Sequence, residues 1–317
     1  DLIIGCDGVN SQVRNSIDTV FADFSSTKDK LPGLFKVVRL NSVPTKDVDP
    51  TAVSLLLPSG AFIEPTDQDG GCCILFSSSS SGSGKSSSSS VPIYLTETKN
   101  RTAVVDALRN TFPTWDETSY NEIATQLVSQ TTPNSAYAVQ CNTYHYKNKA
   151  VLVGDAAHAT GGVSGQGVNS ALVDSVVLAE CIQQQYYYNN KEDGEENDTR
   201  LEQALMNYSI RQLPEGKALY DLSFGPNPKG IQNKLKWGFK NMKDAVFRGK
   251  YGFGSELPLQ TRLSTELTSF ADIRRERDEF YINNSSNDEG DDESQRFPSD
   301  QEFRQQLMLL HRQLGKE

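Results

Sequence analysis

No run of about 18 apolar residues occurs anywhere in the 317-residue chain, which excludes a membrane-spanning helix. Histidine and cysteine are scarce: three histidines and five cysteines (Cys6, Cys72, Cys73, Cys141, Cys181) lie too far apart for a zinc site. An odd cysteine count with no secretory signal favours free thiols, so an intracellular setting is the expectation although no compartment is fixed. Basic residues are the minority. With 31 Lys and Arg against 41 Asp and Glu, the net charge of −10 argues against a nucleic-acid partner. Much of the acidity sits in Lys191 to Asp198 and Asn287 to Glu293, which read as solvated loops and identify no partner. Also missing are a nucleophilic triad and the GxGxxG turn of a dinucleotide fold. No initiator methionine, targeting signal or capped element precedes Asp1.

What is present suffices for a globular enzyme. At 36% hydrophobic the chain can bury a substantial core, and its length suggests about two domains. The most informative segment runs from Ala150 to Asp174. Ala150 to Val153 reads as a buried strand, broken by Gly154-Asp155. A glycine-rich stretch follows (Gly161, Gly162, Gly165, Gly167). Apolar residues then return at Val168, Ala171, Leu172, Val176 and Leu178 to Ala179 with roughly helical spacing, which predicts a helix with those residues as its apolar side. Strand, glycine loop and helix together aim backbone N–H groups and the positive helix end at an electron-rich ligand. Asp155, at the carboxyl end of the strand, can accept hydrogen bonds from sugar or polyol hydroxyls. The amino terminus repeats the pattern on a smaller scale: Asp1 to Cys6 is a buried-strand run stopped at Asp7-Gly8, with Ser11 and Arg14 following.

These two segments, DGxxSxxR (Asp7, Gly8, Ser11, Arg14) and GD…GQGxN (Gly154, Asp155, Gly165, Gln166, Gly167, Asn169), resemble the paired signatures of the FAD-dependent aromatic hydroxylases, the single-component flavoprotein monooxygenases. Ala138 to Tyr146, Tyr208 to Pro214, Ala218 to Ser223 and Trp237 to Met242 resemble the kynurenine 3-monooxygenases more than other hydroxylases of that family. The resemblance implies an α/β fold: a Rossmann-like FAD/NAD(P)-binding domain, incomplete here, with an inserted β-sheet substrate domain and carboxyl-terminal helices. Family members open with a βαβ unit carrying GxGxxG, so the chain is expected to be a carboxyl-terminal portion of a longer protein. The implied reaction uses FAD, NADPH or NADH as co-substrate, and O2 to hydroxylate an electron-rich ring. Asp7, Gly8, Arg14, Gly154, Asp155, Gly165, Gln166, Gly167, Val168 and Asn169 are the implied cofactor contacts.

Several of these residues carry more than one reading. Asp7 could cap a turn as well as touch the ligand, and Arg14 could pair with Asp7 while helping to hold the cofactor's pyrophosphate region. His158 titrates near neutrality but is read as ordering the loop rather than as a general base. Asn169 is either a hydrogen-bonder at the helix start or a contact to substrate or the flavin edge. The chain also departs from the family. Gly162 stands where a proline is usual, Val163-Ser164 where kynurenine hydroxylases have an aromatic pair, and Phe224 to Lys229 in place of the tyrosine-bearing run that touches kynurenine. The flavin motifs survive better than the substrate motifs. A flavin-dependent epoxidase or halogenase relative, or a non-catalytic flavin-fold scaffold, would share the former.

The implied division is residues 1–20 as the end of the first part of the FAD-binding domain, 21–147 as the substrate domain, and 148–190 as the return to the FAD-binding domain. A helical region at 199–282 and an acidic, partly disordered tail at 283–317 complete it. Within the substrate domain Leu34 to Leu40, Ala52 to Leu57, Cys72 to Phe76 and Pro92 to Leu95 read as short strands, and Ala136 to Tyr144 alternates like another. Arg101 to Phe112 and Trp115 to Ser129 read as helices. The serine-rich insert at 77–90 cannot bury enough surface to offset ordering and is expected to be a disordered extension. Tyr186 to Tyr188 read as partly buried surface aromatics. Residues 231–253 read as a basic amphipathic helix that either covers the substrate cleft or makes peripheral contact with a membrane surface.

Overall fold

The computed structural model describes residues 1–31, 33–56, 61–67, 69–78, 91–162, 165–185, 197–224, 262–263, 268–284 and 299–314. Along the chain the elements are β1 (Ile3–Gly5), α1 (Gln12–Val20), β2 (Ser26–Lys30), β3 (Phe35–Leu40), β4 (Ser54–Leu56), β5 (Ala61–Pro65), β6 (Cys72–Ser77), α2 (Arg101–Thr111), α3 (Glu117–Ser129), β7 (Tyr137–Cys141), β8 (His145–Tyr146), β9 (Ala150–Leu152), α4 (Asp155–His158), α5 (Gly167–Gln183), α6 (Asn197–Phe224), α7 (Phe270–Asn284) and α8 (Asp300–Leu314). The fold is mixed α/β. It divides into two compact units, residues 1–29 with 137–317, and residues 30–136.

In the first unit β1 and β9 pair in parallel, Ile4 opposite Val151, and β8 runs antiparallel on the far side of β9. Parallel strands end on the same side of a sheet, so this single pairing brings Asp7-Gly8 and Gly154-Asp155 to one edge. Central β9 is buried along its whole length (Ala150, Val151, Leu152), which is why its sequence is uninterrupted by polar residues. Helix α6 contains Pro214 and is tied to β9 by the Tyr208 hydroxyl, which donates to the Leu152 carbonyl at 3.0 Å. Helix α8 lies inside the stretch expected to be an acidic tail, yet it buries Phe303 and Leu307 in the same core as Tyr208 and Leu213. Its apolar residues recur at positions 303 and 307, one helical turn apart, and that spacing suffices to dock it.

The second unit is a four-stranded antiparallel sheet in the order β3-β6-β5-β4. Strands β3 and β6 alternate buried and accessible residues, so one face meets a core made by Val38, Ile74 and Phe76 with Val104 and Leu108 of α2 and Ile123 and Leu127 of α3. Phe112 and Trp115 stack at 4.1 Å between ring centroids. Lys36 is buried on this core side, where its ammonium donates to the Thr96 and Leu127 carbonyls at 2.7 and 3.1 Å. The expected strand at Pro92 to Leu95 is instead a 3-10 turn, Ile93–Leu95. Pro92 has no N–H for a ladder, and the turn is closed by Thr96 N–H donating to the Ile93 carbonyl. Strand β5 was not among the expected ones.

Residues 79–90 of the serine-rich insert, Tyr186 to Tyr188, residues 225–229 of the altered run and the basic segment 231–253 lie outside the described residues. Among the described residues no helix is long and apolar enough to cross a membrane.

Candidate functional site

Gly154 makes the turn out of β9 at φ +62°, and a Cβ there would lie 2.9 Å from the Ala171 Cβ of α5. Both conditions demand glycine. The next residue, Asp155, opens the one-turn helix α4 with its side chain exposed. Its Oδ1 lies 3.7 Å from where a Gly167 Cβ would stand, so the carboxylate is beside the first residue of α5. That helix begins after Gly165 (φ +69°), with Gln166 as a buried N-cap residue whose side chain makes no capping bond. The first N–H to find a carbonyl one turn back is that of Ser170, donating to Gln166 at 2.9 Å. The N–H groups of Gly167, Val168 and Asn169 therefore have no carbonyl within their own helix and carry its positive end. The Asn169 side-chain amide donates to Gln166 Oε1 at 3.0 Å, which holds the two amides against each other.

The amino-terminal motif supports this turn from behind. Asp7 Oδ2 accepts the N–H groups of Gln12 and Val13 at 2.6 and 3.2 Å, so it satisfies the start of α1. Burial pushes its carboxyl up, but hydrogen bonds from the Ser11 side chain and the Val13 and Gln12 amides outweigh that and hold it below its ordinary value. In place of the ion pair considered for Asp7 and Arg14, the buried Arg14 guanidinium donates to the Ala156 and Val9 carbonyls, each at 2.8 Å. One guanidinium thus bridges the loop after β1 and helix α4. Gly8 adopts φ +74° in open space.

Asp174 belongs to neither of the two sequence motifs. It is fully buried on α5, and its Oδ2 accepts the Gly154 N–H at 2.8 Å and lies 2.7 Å from His158 Nε2. Burial alone would lower the His158 pKa, but the hydrogen bond to Asp174 and that carboxylate's charge raise it above its ordinary value. His158 thus shares with the Gly154 N–H the same carboxylate oxygen. A Cβ at Gly216 of α6 would collide with the Tyr144 hydroxyl and lie 2.8 Å from His158 Cγ, so α6 closes tightly over the pair. The signal for Asp174 in the sequence is its place one turn after Ser170, on the side of the helix that is buried. Beside the turn a cleft of about 680 Å³ is lined by Gln166, Asn169, Val173, Pro214, Glu215 and Phe270, among others. Glu215, one of the lining residues, accepts the Phe270 N–H at 2.7 Å. Burial pushes the Glu215 carboxyl up despite that bond. Among the described residues no group of three or more His, Cys, Asp or Glu side chains could hold a metal ion.

A parallel β-strand pair presenting a carboxylate, glycine turns and an uncapped helix start at its carboxyl edge is the arrangement of a dinucleotide-binding α/β domain. Residues 1–198 match the family model of the FAD binding domain, and the chain belongs to that family. It is 26% identical over 226 residues to the kynurenine 3-monooxygenase of Dictyostelium discoideum, covering 70% of this chain and 46% of that one. To the kynurenine 3-monooxygenase of Salinispora tropica it is 29% identical over 193 residues, 57% of this chain and 38% of the other. The kynurenine 3-monooxygenase acdD of Aspergillus candidus is 35% identical over 101 residues, 32% of this chain and 19% of the relative. The chain thus spans half or less of the length of these relatives. A solved structure of a tetrameric 2-methyl-3-hydroxypyridine-5-carboxylic acid oxygenase is similar at 19% identity and a TM-score of 0.46, over 80% of this chain and 56% of that one.

The residues present fit an FAD. An exposed carboxylate stands ready for hydroxyl donors, the helix start beside it offers unpaired N–H groups, and Gly165 leaves the approach free of any Cβ.

Proposed function

We propose that the protein carrying this chain is an FAD-dependent monooxygenase that hydroxylates an aromatic or related electron-rich small molecule with O2 and NADPH or NADH. The observation that carries this reading is the exposed Asp155 carboxylate beside the uncapped amino terminus of α5. FAD, when bound, supplies electron transfer from the nicotinamide and the activation of oxygen. The chain's own residues bind and orient. Asp155 accepts hydrogen bonds from the ribityl hydroxyls. The N–H groups of Gly167, Val168 and Asn169, at the positive end of a 17-residue helix, stabilise negative charge on the flavin's pyrimidine edge. Asn169 and Gln166, bonded to each other, line the neighbouring cleft, which supports the reading of Asn169 as a substrate contact. Arg14 fixes the backbone of α4 and Asp7 fixes the start of α1, so both act as supports of the cofactor loop.

The similarity to kynurenine 3-monooxygenases supports the reaction class. The departure at Phe224 to Lys229 supports a substrate other than kynurenine. The basic segment 231–253 is read as covering the substrate cleft or, as the second alternative, as making peripheral contact with a membrane surface, and the setting is read as intracellular. The test is FAD titration of the whole protein and its Asp155→Ala variant, with NADPH oxidation followed under air. Loss of a charged hydrogen-bond acceptor should weaken FAD by about 1.5–3 kcal/mol, on the order of tenfold to a hundredfold. A wild-type protein that binds no flavin would sink the proposal, and unchanged affinity in the variant would remove Asp155 from it.

A further inference from the structure

We propose that Asp174 is the positioning residue of the cofactor site: through one carboxylate oxygen it pins both ends of α4, and so fixes where Asp155 stands relative to the α5 amino terminus. The inference rests on the FAD reading of Asp155 and the Gly165–Asn169 turn. Helix α4 has only four residues, Asp155–His158, and a single turn cannot sustain itself, because helix nucleation is unfavourable. Something outside it must hold its shape. The Gly154 N–H, immediately before the turn, donates to Asp174 Oδ2 at 2.8 Å. The His158 ring, its last residue, meets the same oxygen at 2.7 Å. The middle is held by Arg14, through the Ala156 carbonyl. Asp174 in turn sits on α5, the helix whose first residues form the other half of the site.

A fully buried carboxylate is unfavourable unless its bonds are made, so its place on this helix needs a reason. Holding the turn supplies one. Asp155 stands between the two pinned ends, so these bonds set where it lies relative to Gly167. Asp174 itself has no exposure, so its action on the cofactor passes through Gly154 and His158.

The experiment compares the whole protein with Asp174→Leu, which fills similar space without an acceptor, and Asp174→Asn, whose amide oxygen can still accept both bonds. FAD affinity is measured at a temperature where each apo protein keeps the wild-type far-UV circular dichroism, with hydrogen exchange followed on residues 152–158. The leucine variant should bind FAD roughly tenfold or more weakly, the asparagine variant within about threefold of wild type. Exchange at the Gly154 amide should be slow in wild type and faster in the leucine variant. A leucine variant that binds FAD like wild type, while Asp155→Ala does not, would overturn the proposal. A wild type that binds no FAD would instead overturn the FAD reading. Should the leucine variant fail to fold, wild-type exchange at Gly154 as fast as at an open amide, or an asparagine variant weakened as much as Asp155→Ala, would overturn it.

Discussion

Replacing Arg14 with methionine should be among the more damaging single changes to the first unit, although among the described residues Arg14 has no carboxylate partner. Methionine keeps the apolar stem and removes the guanidinium, leaving the Ala156 and Val9 carbonyls without their donors. Each bond from a charged donor contributes about 1.5–3 kcal/mol, so the pair sets an upper figure of about 3–6 kcal/mol. Removing the guanidinium also removes the penalty of burying a cation whose partners are neutral, which brings the net loss to about 2–4 kcal/mol. For a unit of roughly 200 residues each kcal/mol lowers the melting temperature by about 2–4 °C, so a fall of roughly 4–16 °C follows. Arg14→Lys, able to reach one carbonyl, should recover about half. Thermal melting by far-UV circular dichroism on the apo protein reads all three. A methionine variant that melts within about 2 °C of wild type would show that the bridge between the two motifs carries no stability. Because Ala156 lies inside α4, the same variant should also weaken FAD, and a lowered melting point with unchanged affinity would separate fold from site.

The buried His158–Asp174 pair makes stability depend on pH with a definite sign. The folded-state pKa of His158 is raised, so the pair's contribution is fully present below about 6.5 and is lost as pH rises through the raised value. Asp174 on α5, Asp155 on α4 and Tyr144, whose ring centroid is 5.4 Å from that of His158, are the titratable groups around it. Urea unfolding of wild type and His158→Gln at pH 6 and pH 9 should show a larger wild-type advantage at pH 6, and an equal advantage would refute the assignment. On substrate, the whole protein should turn over kynurenine orders of magnitude more slowly than its preferred substrate, because a site that lacks a ligand's hydrogen-bond partners discriminates strongly against it. NADPH oxidation with product analysis decides this. Efficient formation of 3-hydroxykynurenine would restore the narrower assignment.

The strands of the site were legible because each is short, apolar and stopped by a carboxylate and a glycine, Ile3 to Gly5 before Asp7-Gly8 and Ala150 to Leu152 before Gly154-Asp155, but the expected burial of the first is not met: Ile3 and Ile4 are 58% and 50% exposed. That they pair in parallel was not legible, since nothing local in either strand names its neighbour. In the second unit α2 and α3 fall within one or two residues of the expected helices because their apolar spacing is helical and Asn100 and Asp116 cap them. Pro92 to Leu95 misled because a β-type composition of three residues is equally at home in a tight turn. Helix α4 had no signature at all. Its four residues are held by Asp174 and Arg14, which are remote in sequence, so no local propensity could announce it.

Along the first half of helix α5 sequence periodicity pointed the wrong way, although Leu178 is buried as its spacing implies, and the reason lies in the site. Val168, Leu172 and Val176 recur at four-residue spacing and should have formed the buried stripe, yet they are 74%, 62% and 58% exposed. The buried side carries Ser170, Asp174, Val177, Leu178 and Cys181. Turning the helix to bury the valine and leucine stripe would swing Asp174 away from Gly154 and His158, and with it the hold on the turn that displays Asp155. Two buried charge-assisted bonds to Asp174, at about 1.5–3 kcal/mol each, compare with about 1.5–3 kcal/mol for each exposed aliphatic side chain, so bond energies alone do not decide the orientation. Close packing does. Ala171, in the register observed, is the small residue that meets Gly154 across a gap with no room for a Cβ on the glycine, and a rotation would bring Leu172 or Val168 into that contact. The helix faces as it does because its small and acidic residues fit the glycine turn, and periodicity counts only how apolar a side chain is.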